Sequence, residues 1–270
     1  MQWDVAACTD KGVVRPTNED SFRVSRERSL FVLSDGMGGA AKGEVASAIA
    51  VEAVIAAVPE NGSSAALGKS SPRSEFSPHT HDLVQAIEFA NRKVHQEAVR
   101  DPACRGMGAT IVAAHIDGSR LALAHVGDSR AYLLRGNVLE QLTADHSLVA
   151  EQVRHGLMTH QQAAVSDLQS VLTRALGMED AVEIDADEIE LLPGDSLLLC
   201  SDGLTRMVSE NEIAGILEHA PNAQMAAERL VQRANECGGH DNVTVIVVRD
   251  SGRSKGWFAK FLPLWCSNVV

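Results

Sequence analysis

The stretch GATIVAAHIDGSRLALAHVGDSRAYLLRGNVLEQL (residues 108–142) decides the fold class, because apolar runs of strand length alternate in it with tight-turn sequences. A DGS turn separates its first two runs, and a GN turn separates its last two. Hairpin connections of this kind join antiparallel neighbours, whereas parallel strands need long crossover connections. The stretch therefore predicts an antiparallel sheet.

The rest of the chain adds helices and further strands around this block. Apolar residues at helical spacing predict helices over 42–58, 82–99, 209–220 and 221–238. Because hairpins dominate, we expect an α+β fold: a four-layer αββα sandwich of two mostly antiparallel sheets packed face to face and flanked by helices. Further strands are predicted at 3–9, 30–34, 183–192, 195–200 and 242–250, the last of them apolar and central, with a charged loop over 15–29.

Residues 1–250 are predicted to form one domain with two irregular segments. Residues 60–80 are polar and rich in Ser, Gly and Pro, which is typical of a surface insertion. Residues 147–178 predict a polar helical segment with breaks at Gly156 and near Ser166.

Composition and charge narrow the function classes. The 270 residues are 45% hydrophobic and 22% charged, which is ordinary for a globular protein. Lys and Arg number 24 against 36 Asp and Glu, and the formal charge of −12 would repel a phosphate backbone. Nucleic acid is therefore not expected as a partner.

The five cysteines and the terminal segments indicate where in the cell the protein is expected. The cysteines are scattered and form no CxxC pair, as expected for reduced thiols. We see no signal peptide and no apolar run near the roughly 20 residues of a membrane-spanning helix, so we expect a cytoplasmic protein. The aromatic and basic tail, residues 251–270, could dock on a membrane interface or a partner protein, or else pack back on the domain or be disordered.

Four acids recur where an apolar run meets a loop: Asp35, Asp128, Asp202 and Asp241. A single Asp before Gly is more often only a turn residue, but that interpretation does not explain all four. An ionised carboxylate at a core edge is costly unless it is paired, and shared divalent cations would pair these. Carboxylate oxygens with water suit Mg²⁺ or Mn²⁺, whereas zinc prefers His or Cys.

The glycine-rich loop DGMGGAAKGE (residues 35–44) is not a nucleotide-binding loop. A P-loop requires Ser or Thr after its lysine, and Lys42 is followed by Gly. A dinucleotide fingerprint requires GxGxxG, and these glycines have a different spacing. Gly36 can instead present its backbone carbonyl directly to a metal ion.

Six motifs, in order, resemble those of the bacterial type-2C (PPM family) metal-dependent Ser/Thr protein phosphatases. The similarity runs from about residue 5 to residue 249, and the family fold is a β-sandwich flanked by helices. The motifs are RPTNED (15–20), SDGMGG (34–39), VGDSR (126–130), TADHS (143–147), CSDGL (200–204) and GGHDNVT (238–244).

The resemblance implies a centre with two Mn²⁺ or Mg²⁺ ions and a third ion beside them. Asp35 would bridge the two ions, Arg15 would bind the substrate phosphate, and Asn242 would orient a water or Asp241. The implied metal ligands are Glu19, Asp20, Asp35, the Gly36 carbonyl, Asp128, Asp202 and Asp241, with Asp128 and Asp202 forming the third site and Asp202 and Asp241 binding the first ion.

The implied activity is hydrolysis of phosphoserine and phosphothreonine in proteins by direct attack of a hydroxide that bridges the ions. The implied partners are phosphorylated proteins and a cognate Hanks-type Ser/Thr kinase, and we expect a monomer. Two alternatives stay open. One is a catalytically silent phosphoprotein-binding member of the fold, against which the intact acids argue, and the other is a dinuclear phosphoesterase that acts on small molecules.

The sequence does not identify the general acid or a second phosphate contact. Met37 stands where animal members carry a histidine proposed to protonate the leaving group, so the general acid is a water at the third site or, by residue type alone, His146. We interpret His146 as structural and the other nine histidines as surface residues. Residues 147–180 correspond to the family's mobile flap beside the active site. In that flap, Arg174 is a second phosphate contact or, preferably, a structural ion-pair residue.

Overall fold

The computed structural model describes residues 2–38, 42–59, 76–163 and 165–252. Two antiparallel β-sheets face each other at its centre. The five-stranded sheet has the order β1-β11-β10-β7-β8, so that β11 has a partner on each side, as predicted for a central strand. Its strands are β1 (Trp3–Asp10), β7 (Arg130–Arg135), β8 (Val138–Gln141), β10 (Ser196–Cys200) and β11 (Val243–Asp250).

The six-stranded sheet has the order β2-β3-β5-β6-β9, with a short strand, β4, paired to the end of β3. The hairpin of β5 and β6 confirms the antiparallel pairing that the DGS turn predicts. The strands are β2 (Asp20–Ser25), β3 (Leu30–Met37), β4 (Gly108–Ala109), β5 (Ile111–Asp117), β6 (Arg120–Val126) and β9 (Asp185–Glu190).

Helices cover the outer face of each sheet. Helices α1 and α2 share a buried apolar cluster with the six-stranded sheet, and α6 and α7 share another with the five-stranded sheet. The predicted αββα sandwich is therefore confirmed. The helices are α1 (Gly43–Ala57), α2 (Pro78–Arg100), α3 (Leu148–Arg154), α4 (His160–Ala163), α5 (Asp202–Thr205), α6 (Glu210–His219) and α7 (Ala223–Glu236).

The continuous apolar runs of the strands follow from burial on both faces. Successive strand side chains point to opposite sides of a sheet. In β3, Phe31 and Leu33 pack between the two sheets, while Leu30 and Val32 pack against the helical layer. In β10, Leu199 packs between the sheets and Leu198 packs toward α6 and α7. An inner strand of this sandwich therefore has no polar face.

Several predicted boundaries were wrong. The charged loop over 15–29 contains β2, an edge strand whose side chains are only partly buried, so that its polar residues hid the strand pattern. Helix α2 begins at Pro78 rather than Asp82, since Pro suits the first turn of a helix. Helix α7 begins at Ala223, two residues after the predicted start at Pro221, and Asn222 caps it.

The polar segment predicted as helical over 147–178 contains only α3 and α4. Its remaining described residues, which include 155–159 and 165–178, form turns, bends and two isolated bridges, Ser147 with Leu172 and Ala109 with Leu176. Short α5 was not predicted at all.

The predicted surface insertion and the aromatic tail fall largely outside the described residues, which omit 60–75 and 253–270. The domain boundaries and both roles of the tail therefore stay predictions. Among the described residues, no helix is long and apolar enough to cross a membrane.

Truncating a side chain between the sheets should destabilise the whole sandwich. Leu199 is fully buried there, so Leu199→Ala should lower the free energy of unfolding by about 2–5 kcal/mol. Urea denaturation followed by circular dichroism measures this change. The matched control is Leu192→Ala, whose side chain is 46% exposed and which should change stability much less. Equal losses in the two variants would contradict the proposed core.

Candidate metal centre

Acidic side chains from both sheets meet at one edge of the sandwich. Asp20 and Asp35 are direct cross-strand partners on β2 and β3 of the six-stranded sheet. Asp202 follows β10, and Asp241 precedes β11, in the five-stranded sheet. The two loops of the five-stranded sheet touch, because a Cβ atom on Gly203 would overlap the carbonyl oxygen of Asn242. The strand ends therefore bring together the acids that the sequence predicted.

Asp20 is held at one oxygen and left free at the other. Its Oδ2 accepts hydrogen bonds from Ser201 Oγ at 2.8 Å and Thr244 Oγ1 at 2.6 Å. Its Oδ1 is buried and has no hydrogen-bond partner. Burial raises the pKa of Asp20 to about 7, with Asp202 and Asp241 adding to the rise. Such a carboxyl group requires a cation or a proton.

Asp35 lies among the other acids. Its backbone is held by Thr110, whose Oγ1 accepts from the Asp35 N–H at 3.0 Å and whose N–H donates to the Asp35 carbonyl at 2.8 Å. Loss of water raises the pKa of Asp35 well above its usual range, and the charges of four neighbouring acids raise it further. Those neighbours are Asp20, Asp202, Asp128 and Asp241.

Glu19 and the Gly36 carbonyl converge beside Gly43, at the start of α1. Glu19 Oε2 and the Gly36 carbonyl oxygen lie 2.6 and 2.9 Å from the point that a Gly43 Cβ would occupy. The Gly36 N–H donates to the Glu19 carbonyl at 3.2 Å. Burial and the charge of Glu44 raise the pKa of Glu19. Glycine at 36 and 43 thus allows two oxygens, both predicted as ligands, to approach each other.

Arg206 is a residue of the site that sequence reasoning missed. Its Nη2 lies 2.5 Å from Asp202 Oδ2 and 3.6 Å from Asp128 Oδ2. Burial and the charge of Asp202 raise the pKa of Asp128 to about 8. The detectable signal was the spacing, since residues four apart lie on one side of a helical turn.

Arg15 and Asn242 both contact Asp241, and the side chain of Asn242 has other partners. Arg15 Nη2 donates to Asp241 Oδ2 at 2.7 Å, and the Arg15 side chain is half exposed at the mouth of the site. Only the backbone N–H of Asn242 reaches Asp241, at 2.9 Å. Its side chain accepts from the Glu19 N–H and donates to the Thr17 and Lys11 carbonyls, so it holds the loop that carries Glu19.

The residues present fit divalent cations. Asp20 Oδ1 and Asp202 Oδ1 are both buried without a hydrogen-bond partner, and burial, followed by the charges of neighbouring acids, raises the pKa of each carboxyl group. Oxygen-only donors of this kind suit Mn²⁺ or Mg²⁺. Among the described residues, no three of these acids bring ligand atoms within 4.8 Å of one another, so waters would have to complete the coordination of any bound ion.

His146 and Arg174 take structural positions. His146 Nδ1 accepts from the Gly127 N–H at 3.1 Å, so its proton is on Nε2, which lies 3.3 Å from Asp185 Oδ2. Arg174 forms ion pairs with Asp185 at 2.9 Å and with Glu183 at 3.1 Å. These contacts favour the structural interpretation of both residues.

His125, His146 and Asp185 also place three ligand atoms within 4.8 Å of one another. His125 Nε2 donates to the Ala144 carbonyl, and His146 has no free lone pair, so hydrogen bonds account for this cluster. His115 and His125 are buried, and the prediction that both lie on the surface was wrong. The His115 ring packs against that of His79, the His125 ring stacks on that of His146, and burial lowers the pKa of both His115 and His125.

Comparison with known proteins agrees with this geometry. The family model described as protein phosphatase 2C matches residues 14–242. The chain is 38% identical over 251 residues to the Listeria monocytogenes protein named serine/threonine phosphatase stp, covering 92% of this chain and 96% of that protein. It also resembles the crystal structure of the Mycobacterium tuberculosis serine/threonine phosphatase PstP/Ppp, with a TM-score of 0.78, 38% identity and coverage of 92% and 98%.

A further solved structure contains the metal. The catalytic domain of the phosphatase PstP in complex with two manganese ions matches with a TM-score of 0.77 and 35% identity, covering 92% of this chain and 97% of that one. The matches span nearly the whole length of the Listeria protein and of the two crystallised PstP chains, as well as of this chain. The chain therefore belongs to the protein phosphatase 2C family of metal-dependent serine/threonine phosphatases.

Proposed function

We propose that this chain hydrolyses phosphoserine and phosphothreonine in proteins at the edge where the two sheets meet, with two Mn²⁺ or Mg²⁺ ions held by the acidic cluster. The observation that carries the proposal is the pair of buried, unpartnered oxygens, Asp20 Oδ1 and Asp202 Oδ1, among further acids. A phosphoprotein-binding module without chemistry has no use for such a cluster.

The proposed ligands follow the geometry of the centre. Asp35 lies centrally and would be shared by both ions, with the Gly36 carbonyl beside it. Asp202 and Asp241 would hold one ion from the five-stranded sheet, and Glu19 and Asp20 would hold ligands or waters from the other sheet. When bound, the ions supply Lewis acidity, which makes water a nucleophile near neutral pH and neutralises phosphoryl charge.

Arg15 would bind the phosphoryl group of the substrate. Its guanidinium is half exposed and pairs with Asp241, so a phosphate that enters the site can exchange with that carboxylate or share the guanidinium with it. A dianionic phosphate would otherwise meet a cluster of acids in a chain of formal charge −12. A planar guanidinium can donate two parallel hydrogen bonds, which also orients the phosphorus.

The leaving group would take its proton from solvent water. Met37 has no ionisable group, and the side chain of His146 is only 2% exposed, with its ring nitrogens already engaged. Solvent reaches the site at Arg15, whose side chain is 51% exposed. With water as the proton donor, the reaction needs no side chain as general acid.

The substrates would be phosphorylated proteins, because relatives along the full chain are named serine/threonine phosphatases. The opposing enzyme would be a Hanks-type Ser/Thr kinase, and the kinase itself is a proposed substrate. We propose that the chain acts as a monomer in the cytoplasm. Docking of residues 251–270 on a membrane complex is part of the same proposal.

Removing the shared carboxylate should abolish turnover. With a phosphothreonine peptide and Mn²⁺, Asp35→Asn should lower kcat/KM by at least about 100-fold, because the amide cannot neutralise two cations. Phosphate release measures the loss, and EDTA should stop the wild type. The matched control is Asp187→Asn, at an exposed position of β9, and this variant should retain activity. Turnover that resists both EDTA and Asp35→Asn would contradict the proposed chemistry.

The metal-free protein should lose stability as pH rises. The folded-state pKa of Asp20 is about 7 and that of Asp128 about 8, against roughly 3.9 for an unfolded Asp, so the folded state binds more protons between about pH 4 and 8. These carboxyl groups therefore contribute stability that is fully present below about pH 4, falls progressively as pH rises and is lost above about pH 7 to 8. Denaturant unfolding in EDTA at several pH values measures the slope.

Asp20→Asn should make that slope shallower, since the amide does not titrate, and the Asp187→Asn control should follow the wild type. Saturating Mn²⁺ should reverse the trend, because the ion replaces the proton. Identical slopes for the wild type and Asp20→Asn in EDTA would contradict the assignment of a perturbed carboxyl group to Asp20.

A further inference from the structure

We propose that Arg206 is the resident cation of the Asp128–Asp202 pair and that its guanidinium excludes the third divalent ion that the family resemblance implies there. This inference rests on the two-ion centre of the proposed function and concerns only the neighbouring position. It assigns Asp128 to an ion pair within the chain instead of to a metal.

The contacts place one guanidinium nitrogen against both carboxylates. Arg206 Nη2 lies 2.5 Å from Asp202 Oδ2 and 3.6 Å from Asp128 Oδ2. The side chains of Asp128 and Asp202 are 8% and 12% exposed, and that of Arg206 is 25% exposed. The positive charge therefore lies against both carboxylates, where an ion bound by both of them would have to lie.

Local structure brings the guanidinium to this position. Asp202 is the first residue of α5 and Arg206 follows its last residue, so that the two side chains lie one turn apart on the same side. The Arg206 N–H donates to the Asp202 carbonyl at 2.9 Å, which closes the turn. The same nitrogen, Arg206 Nη2, also donates to the Gln169 carbonyl at 3.4 Å, in the segment after α4. The guanidinium is thus held by the two acids and by this segment.

Electrostatics make the two cations mutually exclusive. A divalent ion bound by both Asp128 and Asp202 would lie within a few ångströms of a guanidinium that cannot lose its proton, and repulsion at that range in a partly buried site is strong. Arg206 would have to leave both carboxylates before the ion could bind. The two-ion centre is not blocked in this way. Asp20 Oδ1 and Asp202 Oδ1 have no hydrogen-bond partner, so both oxygens remain available to the two ions while Asp202 Oδ2 pairs with Arg206.

The number of bound ions tests the inference without reference to turnover. Equilibrium dialysis across a Mn²⁺ titration, with metal analysis of the retained protein, gives the ions per chain and their dissociation constants. We expect two ions in the wild type. Arg206→Gln should add a third, with a dissociation constant at least about tenfold lower than that of any third ion in the wild type, because the competing charge is gone. Arg206→Lys keeps the charge and should bind no third ion beyond the wild type.

Arg233→Gln is the matched control. Like Arg206, Arg233 pairs with two acids: it lies 2.7 Å from Glu212 and 3.7 Å from Glu236. These residues lie on α6 and α7, in the outer helical layer and away from the metal centre. Its loss removes the same charge from the chain and should leave the count at two. A gain equal to that of Arg206→Gln would show a general charge effect and would overturn the inference.

Asp128→Asn gives a second measurement, which does not require Arg206→Gln to fold. With Arg206 as the resident cation, the wild type and Asp128→Asn both bind two ions. If a third ion binds at Asp128, the wild type binds three and Asp128→Asn binds two, and the inference is overturned. A wild type that binds no Mn²⁺ would refute the two-ion centre itself, which distinguishes failure of the proposed function from failure of this inference.

Discussion

Repulsion among carboxylates that lie together at the edge of the core is the constraint on which the rest of the structure depends. Asp20, Asp35, Asp128 and Asp202 all have raised pKa values, with burial as the largest cause and the charge of a neighbouring acid as a further one. Such a cluster is stable only when protons or cations balance it. The fold provides a rigid frame for the acids, and Arg15 and Arg206 supply part of the balance from within the chain.

The sandwich explains why the acids cannot separate. Asp20 and Asp35 are fixed in register on paired strands, and both strands are anchored by side chains packed between the sheets and against the helices. The loops of the five-stranded sheet meet where Gly203 contacts Asn242 without room for a side chain. A flexible loop would relax away from like charges, but strands held on both faces keep them together. The folding energy of the core thereby maintains an electrostatically unfavourable arrangement that suits metal ions.

Sequence reasoning succeeded where a signal was local. Apolar runs with tight turns predicted the sheets, because burial on both faces makes residues 30–33 of β3 and 197–200 of β10 continuously apolar. The acids of the centre were found because each lies beside a strand and inside a recognisable motif. The edge strand β2 was missed because its exposed face is polar and resembles a charged loop. Arg206 was missed because its role depends on Asp128, which lies far away in sequence and is brought near only by the fold.

The central claim is that metal ions balance the acids around Asp35 while the guanidinium of Arg206 balances Asp128. Anomalous diffraction from crystals grown with Mn²⁺ tests it most directly. The account predicts two manganese peaks, both within ligand distance of Asp35 oxygens, and a guanidinium without a peak between Asp128 and Asp202. The absence of any manganese peak at Asp35, or a manganese peak at Asp128 with Arg206 turned away, would contradict the account.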